Sequence, residues 1–166
     1  MKEYQFQVRV RYAETDQMGV VYHGNYAQYF EMGRVEWLRN LGISYKWMED
    51  NGVMLPVVSL QMNYKKPARY DDLLTVKTIF KSQTSVKIEF DYEIYNEREE
   101  LLTTGYSMLV FVDMKSGKPI APPTYITEKL VGLEIDFLNS YFIKMIENVE
   151  YLFGIFFSCG NFNLTI

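Results

Sequence analysis

The sequence predicts an α+β fold in which one long helix covers a face of a single antiparallel sheet. Three observations favour this fold: an alternating strand near the N-terminus, a long amphipathic helix after it, and four further strand patterns joined by short breaks. Aromatic residues make up 16% of the chain, which favours a β-rich fold over a helical bundle. With 166 residues, the chain is long enough for one domain with its own core.

The first predicted strand is the segment YQFQVRVRY, residues 4–12, in which polar and apolar side chains alternate without interruption. Glutamine and arginine occupy one face of it. The opposite face carries Tyr4, Phe6, Val8, Val10 and Tyr12. Alternation with a period of two residues is typical of a strand that buries one face.

A long helix is predicted after the loop AETDQMGVVYHG, beginning near Asn25, which is a favourable N-cap residue. Gln28 stands in the capping-box position, and Gly42 is predicted to be the C-cap. The apolar stripe consists of Tyr26, Phe30, Gly33, Trp37 and Leu41. Because a glycine costs about 1 kcal/mol of helix propensity, Gly33 within this stripe predicts that the helix backbone packs closely against a sheet.

The segment SYKWMEDNG predicts a short helix and a turn, and four strand patterns follow it. They are LPVVSLQMNY, LLTVKTIFKSQ, TSVKIEFDYEIYN and ELLTTGYSMLVFVDM. The breaks between them are short and polar, as expected between antiparallel neighbours. The prediction is therefore one antiparallel sheet of about five strands with one long helix available to cover it.

The C-terminal part of the chain differs in character from the predicted sheet. Apolar residues recur there at helical spacing, namely Leu133, Phe137, Tyr141, Met145, Val149, Leu152 and Phe156. We expect a domain at residues 1–130 and a helical extension at residues 131–166, packed on that domain or on a partner subunit. A membrane-surface helix is disfavoured because the polar face is not basic, and charged residues disfavour a membrane-spanning helix.

Composition and missing motifs exclude several functional classes. A net charge of −4 provides no basic surface for nucleic acid. The N-terminal segment MKEYQFQ has no apolar signal region and the chain has one cysteine, so a cytoplasmic protein is expected. One histidine and one cysteine cannot form the usual zinc clusters, so no metal site is expected. No G-x-S-x-G motif is present, which disfavours a serine hydrolase, and the sequence has neither a P-loop nor a G-x-G-x-x-G motif.

Asp16 and the single histidine, His23, stand in the loop between the first strand and the long helix. An aspartate in a loop is most often a turn residue, and a lone histidine is most often structural. However, free N–H groups at a helix start favour developing negative charge, and Gly19 and Gly24 would let a substrate approach the backbone. A carboxylate that acts on water or a carbonyl, beside donors for an oxyanion, suits acyl transfer.

Two charged groups leave both a structural and a functional interpretation open. The cluster YKKPAR, with Lys65, Lys66 and Arg69, is either a solvated turn or a docking site for the phosphates of a carrier. Glu31 and Glu36 on the helix are candidates for acid–base groups, but pairing with Arg34 is the simpler interpretation.

The segment RYAETDQMGVVYHGNYAQYFEMGRVEWLR resembles the signature of small hotdog-fold acyl-CoA thioesterases. The branch is that of 4-hydroxybenzoyl-CoA thioesterase and the Tol-Pal-associated short-chain acyl-CoA thioesterases. The matching residues are Tyr12, Thr15, Asp16, Gly19, Val20, Val21, Tyr22, His23, Asn25, Tyr26, Glu31 and Arg34. The resemblance covers roughly residues 4–130, and its first segment is the specific part.

The resemblance implies a hotdog fold, in which a curved antiparallel sheet wraps one long central helix, and a homodimer or homotetramer with active sites at subunit interfaces. It implies hydrolysis of acyl-CoA without a cofactor. Asp16 falls on the catalytic carboxylate, acting as nucleophile or general base. His23 falls on the position whose main-chain N–H polarises the thioester carbonyl, and its ring is a possible assistant. Substrate-binding positions are Tyr22, Gly24, Asn25, Lys65, Lys66 and Arg69.

Two alternatives to a thioesterase remain at this point. One is a hotdog hydratase or dehydratase that acts on acyl-CoA or acyl-carrier protein, although the VVYHGNY segment does not resemble the histidine motifs of those enzymes. The other is a non-enzymatic acyl-thioester binder or assembly module, which the C-terminal extension suggests.

Overall fold

The computed structural model describes residues 2–132; residue 1 and residues 133–166, with most of the predicted C-terminal extension, lie outside the described residues. The helices are α1 (Asn25–Asn40) and α2 (Tyr45–Asp50), and residues 124–132 are also helical. The strands are β1 (Glu3–Arg9), β2 (Val53–Met54), β3 (Val57–Tyr64), β4 (Leu73–Thr84), β5 (Lys87–Tyr95), β6 (Leu101–Val110) and β7 (Val112–Asp113).

Five strands form one sheet in the order β1-β4-β5-β6-β3, and every neighbouring pair is antiparallel. The helix α1 lies across it and contacts β1 and β4. This arrangement confirms the predicted α+β fold with one long helix on a five-stranded sheet. The pair β2-β7 was not predicted, because a strand of two residues is too short to show an alternating pattern.

The predicted alternation of polar and apolar residues matches the observed burial wherever the predicted strand is a strand in the structure. In β5 the buried side chains are Ile88, Phe90, Tyr92 and Ile94, as expected. The prediction for the first strand fails at its end, because the chain leaves β1 and forms a 3₁₀ turn at Tyr12–Glu14. The side chain of Tyr12 is consequently 78% exposed instead of facing the core.

The predicted start of the long helix is wrong by one residue. Gly24 is the N-cap of α1, and Asn25 is the first helical residue. The side-chain amide of Asn25 donates instead to the main-chain carbonyl of Glu14 at 2.8 Å, so no capping box with Gln28 forms. A tertiary acceptor has replaced the local capping interaction that the sequence suggested.

The other end of α1 closes as a Schellman motif. The N–H of Gly42 donates to the carbonyl of Arg39, and the N–H of Ile43 donates to that of Leu38, each at 2.9 Å. Gly42 has a φ of 74°, which favours glycine, and it lies one residue beyond the C-cap, Leu41. The predicted glycine stop is therefore confirmed within one residue.

Glycines on both sides of the interface let α1 approach the sheet closely. A Cβ added at Gly33 would lie 2.3 Å from Thr78 Oγ1 on β4, which confirms the predicted close packing. A Cβ added at Gly105 on β6 would lie 2.3 Å from the ring of Phe30. Phe30 in turn stacks on Tyr92 with ring centroids 4.4 Å apart.

The predicted pairing of Arg34 with its helix neighbours is wrong. Arg34 is buried, and its Nη1 donates to the hydroxyl of Tyr92 at 3.2 Å, while Tyr92 shares a 2.6 Å hydrogen bond with Ser107. Burial raises the pKa of Tyr92 to about 12. Glu36 is paired with Arg39 instead.

Among residues 2–132, no helix is both long and apolar enough to cross a membrane.

Replacement of Gly33 tests the close approach of α1 to the sheet. We expect Gly33→Ala to lower the free energy of unfolding by about 1–3 kcal/mol, because the added methyl group overlaps Thr78. The gain in helix propensity, about 1 kcal/mol, opposes this loss without cancelling it. Urea unfolding followed by circular dichroism measures the change.

The double variant Gly33→Ala/Thr78→Ala is the matched control, because it removes the hydroxyl that the new methyl group would meet. It should lose less stability than the sum of the two single variants. An unchanged urea midpoint for Gly33→Ala would contradict close packing at this position.

Candidate active site

A pocket of about 280 Å³ lies at the N-terminal end of α1. The pocket brings together four of the site residues that the sequence predicted: Asp16, His23, Lys65 and Lys66. The remaining lining comes from Met18, Val20, Val21, Tyr26, Tyr64 and Pro67. Tyr22, Gly24, Asn25 and Arg69 lie beside the pocket in the chain but are outside its lining.

Asp16 begins a tight turn. Its N–H donates to the carbonyl of Val20, its carbonyl accepts from the N–H of Gly19, and its Oδ1 accepts from the N–H of Met18, all at 2.8–2.9 Å. Gly19 has a φ of 74°, which the turn requires. The second carboxylate oxygen, Oδ2, accepts no hydrogen bond from any residue between 2 and 132. Asp16 thus forms the turn through Oδ1 and also lines the pocket, while Oδ2 has no hydrogen bond within the described residues.

His23 is exposed, and two tyrosines flank its ring. The ring centroid of Tyr22 lies 4.3 Å away and that of Tyr64 6.5 Å away. The hydroxyl of Tyr64 also donates to the main-chain carbonyl of His23 at 3.0 Å. Sequence reasoning missed Tyr64, because nothing in its local sequence distinguishes it from the other 13 of the 14 tyrosines.

The main chain at the start of α1 leaves donors free. The N–H of Asn25 donates to the main-chain carbonyl of Tyr22, and the N–H of Ala27 donates to that of Gly24. The N–H groups of His23 and Gly24 have no acceptor within the described part of the chain. Free donors at a helix N-terminus, next to the positive end of the helix dipole, bind anions. A Cβ added at Gly24 would lie 2.7 Å from the ring of Tyr22, so this glycine accommodates that ring.

Glu14 is a buried carboxylate behind the pocket that sequence reasoning did not single out. Its Oε2 accepts from the N–H of Arg11 at 2.7 Å and from the hydroxyl of Tyr29 at 3.0 Å. Its Oε1 accepts from Nε and Nη2 of Arg11 at 3.0 and 2.6 Å. Its main-chain carbonyl accepts from the N–H of Tyr22 at 2.9 Å and from Nδ2 of Asn25 at 2.8 Å.

Burial by itself would raise the pKa of Glu14, but the hydrogen bonds from Arg11 and Tyr29 outweigh it and hold this pKa below its usual range. Glu14 is therefore ionised at neutral pH. Its contribution to stability is complete above the unfolded-state pKa of about 4.3. That contribution is lost as the pH falls through the lower, folded-state pKa.

The three predicted cations differ in their surroundings. Nζ of Lys66 lies 2.6 Å from Oε1 of Glu100, and hydrogen bonds from Lys66 and Asn96 lower the pKa of Glu100. Lys65 and the guanidinium of Arg69 have no ion-pair partner among residues 2–132. Arg69 lines a second, polar pocket of about 250 Å³, which shares Lys66 with the first.

The described residues contain no group of three or more His, Cys, Asp or Glu side chains placed to hold a metal ion. The reactive groups at the pocket are the carboxylate of Asp16, which has one oxygen without a hydrogen bond, and the free main-chain N–H groups of His23 and Gly24. A carboxylate can attack a carbonyl or activate water, and paired N–H donors can stabilise the negative charge that forms on the carbonyl oxygen.

Comparison with known proteins finds related chains. YneP of Bacillus subtilis (strain 168) is 43% identical over 114 residues, which are 69% of this chain and 83% of YneP. The acyl-CoA thioester hydrolase YbgC of Escherichia coli O157:H7 is 34% identical over 120 residues, covering 72% of this chain and 90% of YbgC.

A DHNA-CoA thioesterase from Staphylococcus aureus superposes with a TM-score of 0.71 at 37% identity, covering 90% of this chain and 95% of that one. This likeness confirms the predicted hotdog fold. Residues 10–130 match the family described as the Thioesterase-like superfamily. The matched segment is well over half of the chain and holds the whole pocket, so the chain belongs to the thioesterase-like superfamily.

Proposed function

We propose that this protein hydrolyses acyl-CoA thioesters to a free acid and CoA, without a cofactor. The observation that carries the proposal is the pocket that Asp16 shares with His23, because Asp16 keeps one carboxylate oxygen without a hydrogen bond and His23 stands just before α1. The activities named for YbgC and for the Staphylococcus aureus structure support an acyl-CoA substrate.

In the proposed reaction, the thioester carbonyl oxygen accepts hydrogen bonds from the main-chain N–H groups of His23 and Gly24. Asp16 acts in one of two ways. It attacks the carbonyl carbon, forms a mixed anhydride and expels the CoA thiolate, after which water cleaves the anhydride. Otherwise it removes a proton from a water molecule that attacks the carbonyl directly. Both routes consume one water and release one acid and one thiol.

In this proposal the main-chain N–H donors and the carboxylate of Asp16 have different roles. The helix N-terminus stabilises the charge that develops on oxygen, and such stabilisation is often the largest single contribution to acyl transfer. The imidazole of His23 is a secondary group, because its ring packs between Tyr22 and Tyr64. Asn25 and Gly24 act indirectly, since the side chain of Asn25 donates to the carbonyl of Glu14 and Gly24 leaves room for the ring of Tyr22.

We propose that the cationic residues beside the pocket contact the phosphates of CoA. Lys65 and Arg69 are the stronger candidates, because neither is ion-paired within residues 2–132. Lys66 would have to exchange Glu100 for a phosphate. Arginine and lysine both bind phosphate through charge-assisted hydrogen bonds.

Within the superfamily, we propose the branch of 4-hydroxybenzoyl-CoA thioesterase and the Tol-Pal-associated short-chain enzymes. The segment around Asp16 and His23 and the likeness to YbgC support it. The likeness to a DHNA-CoA thioesterase makes an aromatic acyl group the alternative to a short aliphatic one. A cytoplasmic setting remains a prediction.

We also propose that residues 1–130 form the catalytic domain, that two copies pair as a homodimer able to form a tetramer, and that residues 131–166 pack on the domain or on a partner subunit. β3 is an edge strand of the five-stranded sheet. It exposes apolar side chains at Val57, Val58, Leu60 and Tyr64. An exposed apolar edge strand favours pairing with another copy, and β3 ends at the pocket.

Replacement of Asp16 by asparagine tests the catalytic carboxylate. Asparagine keeps the Oδ1 acceptor for Met18, so the turn should persist while the charge and the nucleophile are lost. We expect kcat to fall by about 10³-fold or more with an unchanged melting temperature. The measurement is thiol release from short-chain, long-chain, benzoyl and DHNA esters of CoA.

Asp50→Asn is the matched control, because Asp50 is an exposed helix residue paired with Lys46. It should retain the wild-type kcat. Intact mass must show that the Asp16→Asn sample has not deamidated back to aspartate. Near-normal turnover by such a sample would contradict the proposal, and so would hydration of an enoyl-CoA without thiol release by the wild type.

Removal of Lys65 or Arg69 tests the proposed phosphate contacts. We expect Lys65→Ala and Arg69→Ala each to raise KM for an acyl-CoA by about 5- to 10-fold with kcat nearly unchanged, since each removes one charged hydrogen-bond donor. KM for the matching N-acetylcysteamine thioester, which has no phosphates, should not change. Lys46→Ala on α2 is the control, and an equal rise in KM for both thioesters would contradict phosphate binding.

A lysine at the edge strand tests the proposed dimer. We expect Val58→Lys to convert a dimer or tetramer to a monomer, because a charge on an edge strand opposes strand pairing. Size-exclusion chromatography with light scattering measures the mass. Met114→Lys, at a similarly exposed apolar residue outside β3, should keep the wild-type mass. A monomeric and fully active wild type would contradict the proposal.

A further inference from the structure

We propose that Glu14 is a positioning residue that fixes the spacing between the Asp16 turn and the main-chain donors at the start of α1. This inference rests on the proposed function and extends it to a residue outside the pocket lining. Glu14 acts twice, once through its side chain and once through its main chain.

The side chain of Glu14 joins the end of the first strand region to α1. Each carboxylate oxygen accepts two hydrogen bonds. Arg11 supplies three of the four donors at 2.6–3.0 Å, and the hydroxyl of Tyr29 supplies the fourth at 3.0 Å. Glu14 is 5% exposed and Tyr29 is fully buried. Hydrogen bonds to an ionised acceptor are stronger than neutral ones, and a donor left without a partner in a buried site is costly.

The main-chain carbonyl of Glu14 holds the residues on either side of the free donors. It accepts from the N–H of Tyr22 and from the side-chain amide of Asn25, so both of its lone pairs are used. Tyr22 and Asn25 bracket His23 and Gly24 in the chain. The bridge between Thr15 and Val21 continues the pairing next to the Asp16 turn.

One residue therefore contacts α1 through its side chain and both flanks of the donor pair through its carbonyl, two positions before Asp16. Glu14 does not line the pocket, so its effect on the reaction runs through the geometry of other groups. A displacement of about 1 Å in reacting groups can cost about 10²-fold in rate. Loss of this anchor should consequently lower kcat more than it weakens substrate binding.

Glu14→Gln is the test, because glutamine keeps the size of the side chain but replaces one acceptor with a donor that faces the donors of Arg11 or Tyr29. We expect kcat for an acyl-CoA to fall by about 10-fold, with KM within about 2-fold of the wild type. The assay is run well below the melting temperature of the variant. Glu14→Asp, which keeps the charge, should recover part of the lost kcat. Asn25→Ala should add less to Glu14→Gln than it costs alone, because both act on one arrangement.

Glu36→Gln is the matched control, since Glu36 forms the same i,i+3 pair with an arginine on the exposed side of α1. Its kcat and KM should equal those of the wild type. The single histidine provides a readout that does not depend on activity. The Cε1–H NMR signal of His23 should shift or broaden in Glu14→Gln and stay unchanged in Glu36→Gln.

The outcomes separate this inference from the proposed function. A wild-type kcat and an unchanged His23 signal in Glu14→Gln, even with a lower melting temperature, would show that Glu14 has only a structural role. A raised KM with unchanged kcat would also overturn the inference. An active Asp16→Asn variant would instead overturn the proposed function, while the His23 signal would still report whether Glu14 positions the helix start.

Discussion

The close seating of α1 on the five-stranded sheet is the constraint on which the rest of the structure depends. Gly33 on the helix and Gly105 on the sheet remove the side chains that would hold the two apart. Large aromatic side chains then fill the remaining interface, with Phe30 stacked on Tyr92 and Trp37 on Phe80. Because interiors are packed at crystal-like density, this contact also determines where the first residues of α1 lie relative to the strands.

Two separate hydrogen-bond networks join buried polar groups at this interface. Arg34 donates to Tyr92, which shares a hydrogen bond with Ser107 deep under the helix. Glu14 joins Arg11 and Tyr29 at the other end, beside the helix start. A buried polar group is costly without partners, so each network restricts the packing that is available. The network at Glu14 ties the Asp16 turn and the start of α1 to one buried group.

The main-chain N–H groups of His23 and Gly24 have no acceptor among residues 2–132. Gly24 is the N-cap of α1 and His23 precedes it, so neither N–H has an intrahelical partner, and no side chain caps the helix start. In the proposed mechanism these donors bind the carbonyl oxygen, and the tight turn at Asp16 places a carboxylate on the same pocket. The exposed aromatic rings of Tyr22 and Tyr64 both lie near the His23 ring, and Tyr64 also lines the pocket.

By itself, the sequence determined the order of elements, the alternating faces of β1 and β5, the glycine stop of α1 and the loop that carries Asp16 and His23. These features have a period or a local chemistry that a single segment contains. Sequence reasoning could not find the burial of Glu14, the exposure of Tyr12 or the N-cap at Gly24, because each depends on a turn that tertiary contacts select.

Only the tertiary structure brought Tyr64 to His23, 41 positions away, and Lys66 to Glu100, 34 positions away. It also placed Arg34 against Tyr92 instead of a helix neighbour. Such contacts follow from strand order and helix seating, and no local pattern encodes which distant side chain will fill a given space. The residues offered for chemistry were therefore visible in the sequence, whereas the contacts that hold them in one geometry arose only when the sheet closed against α1.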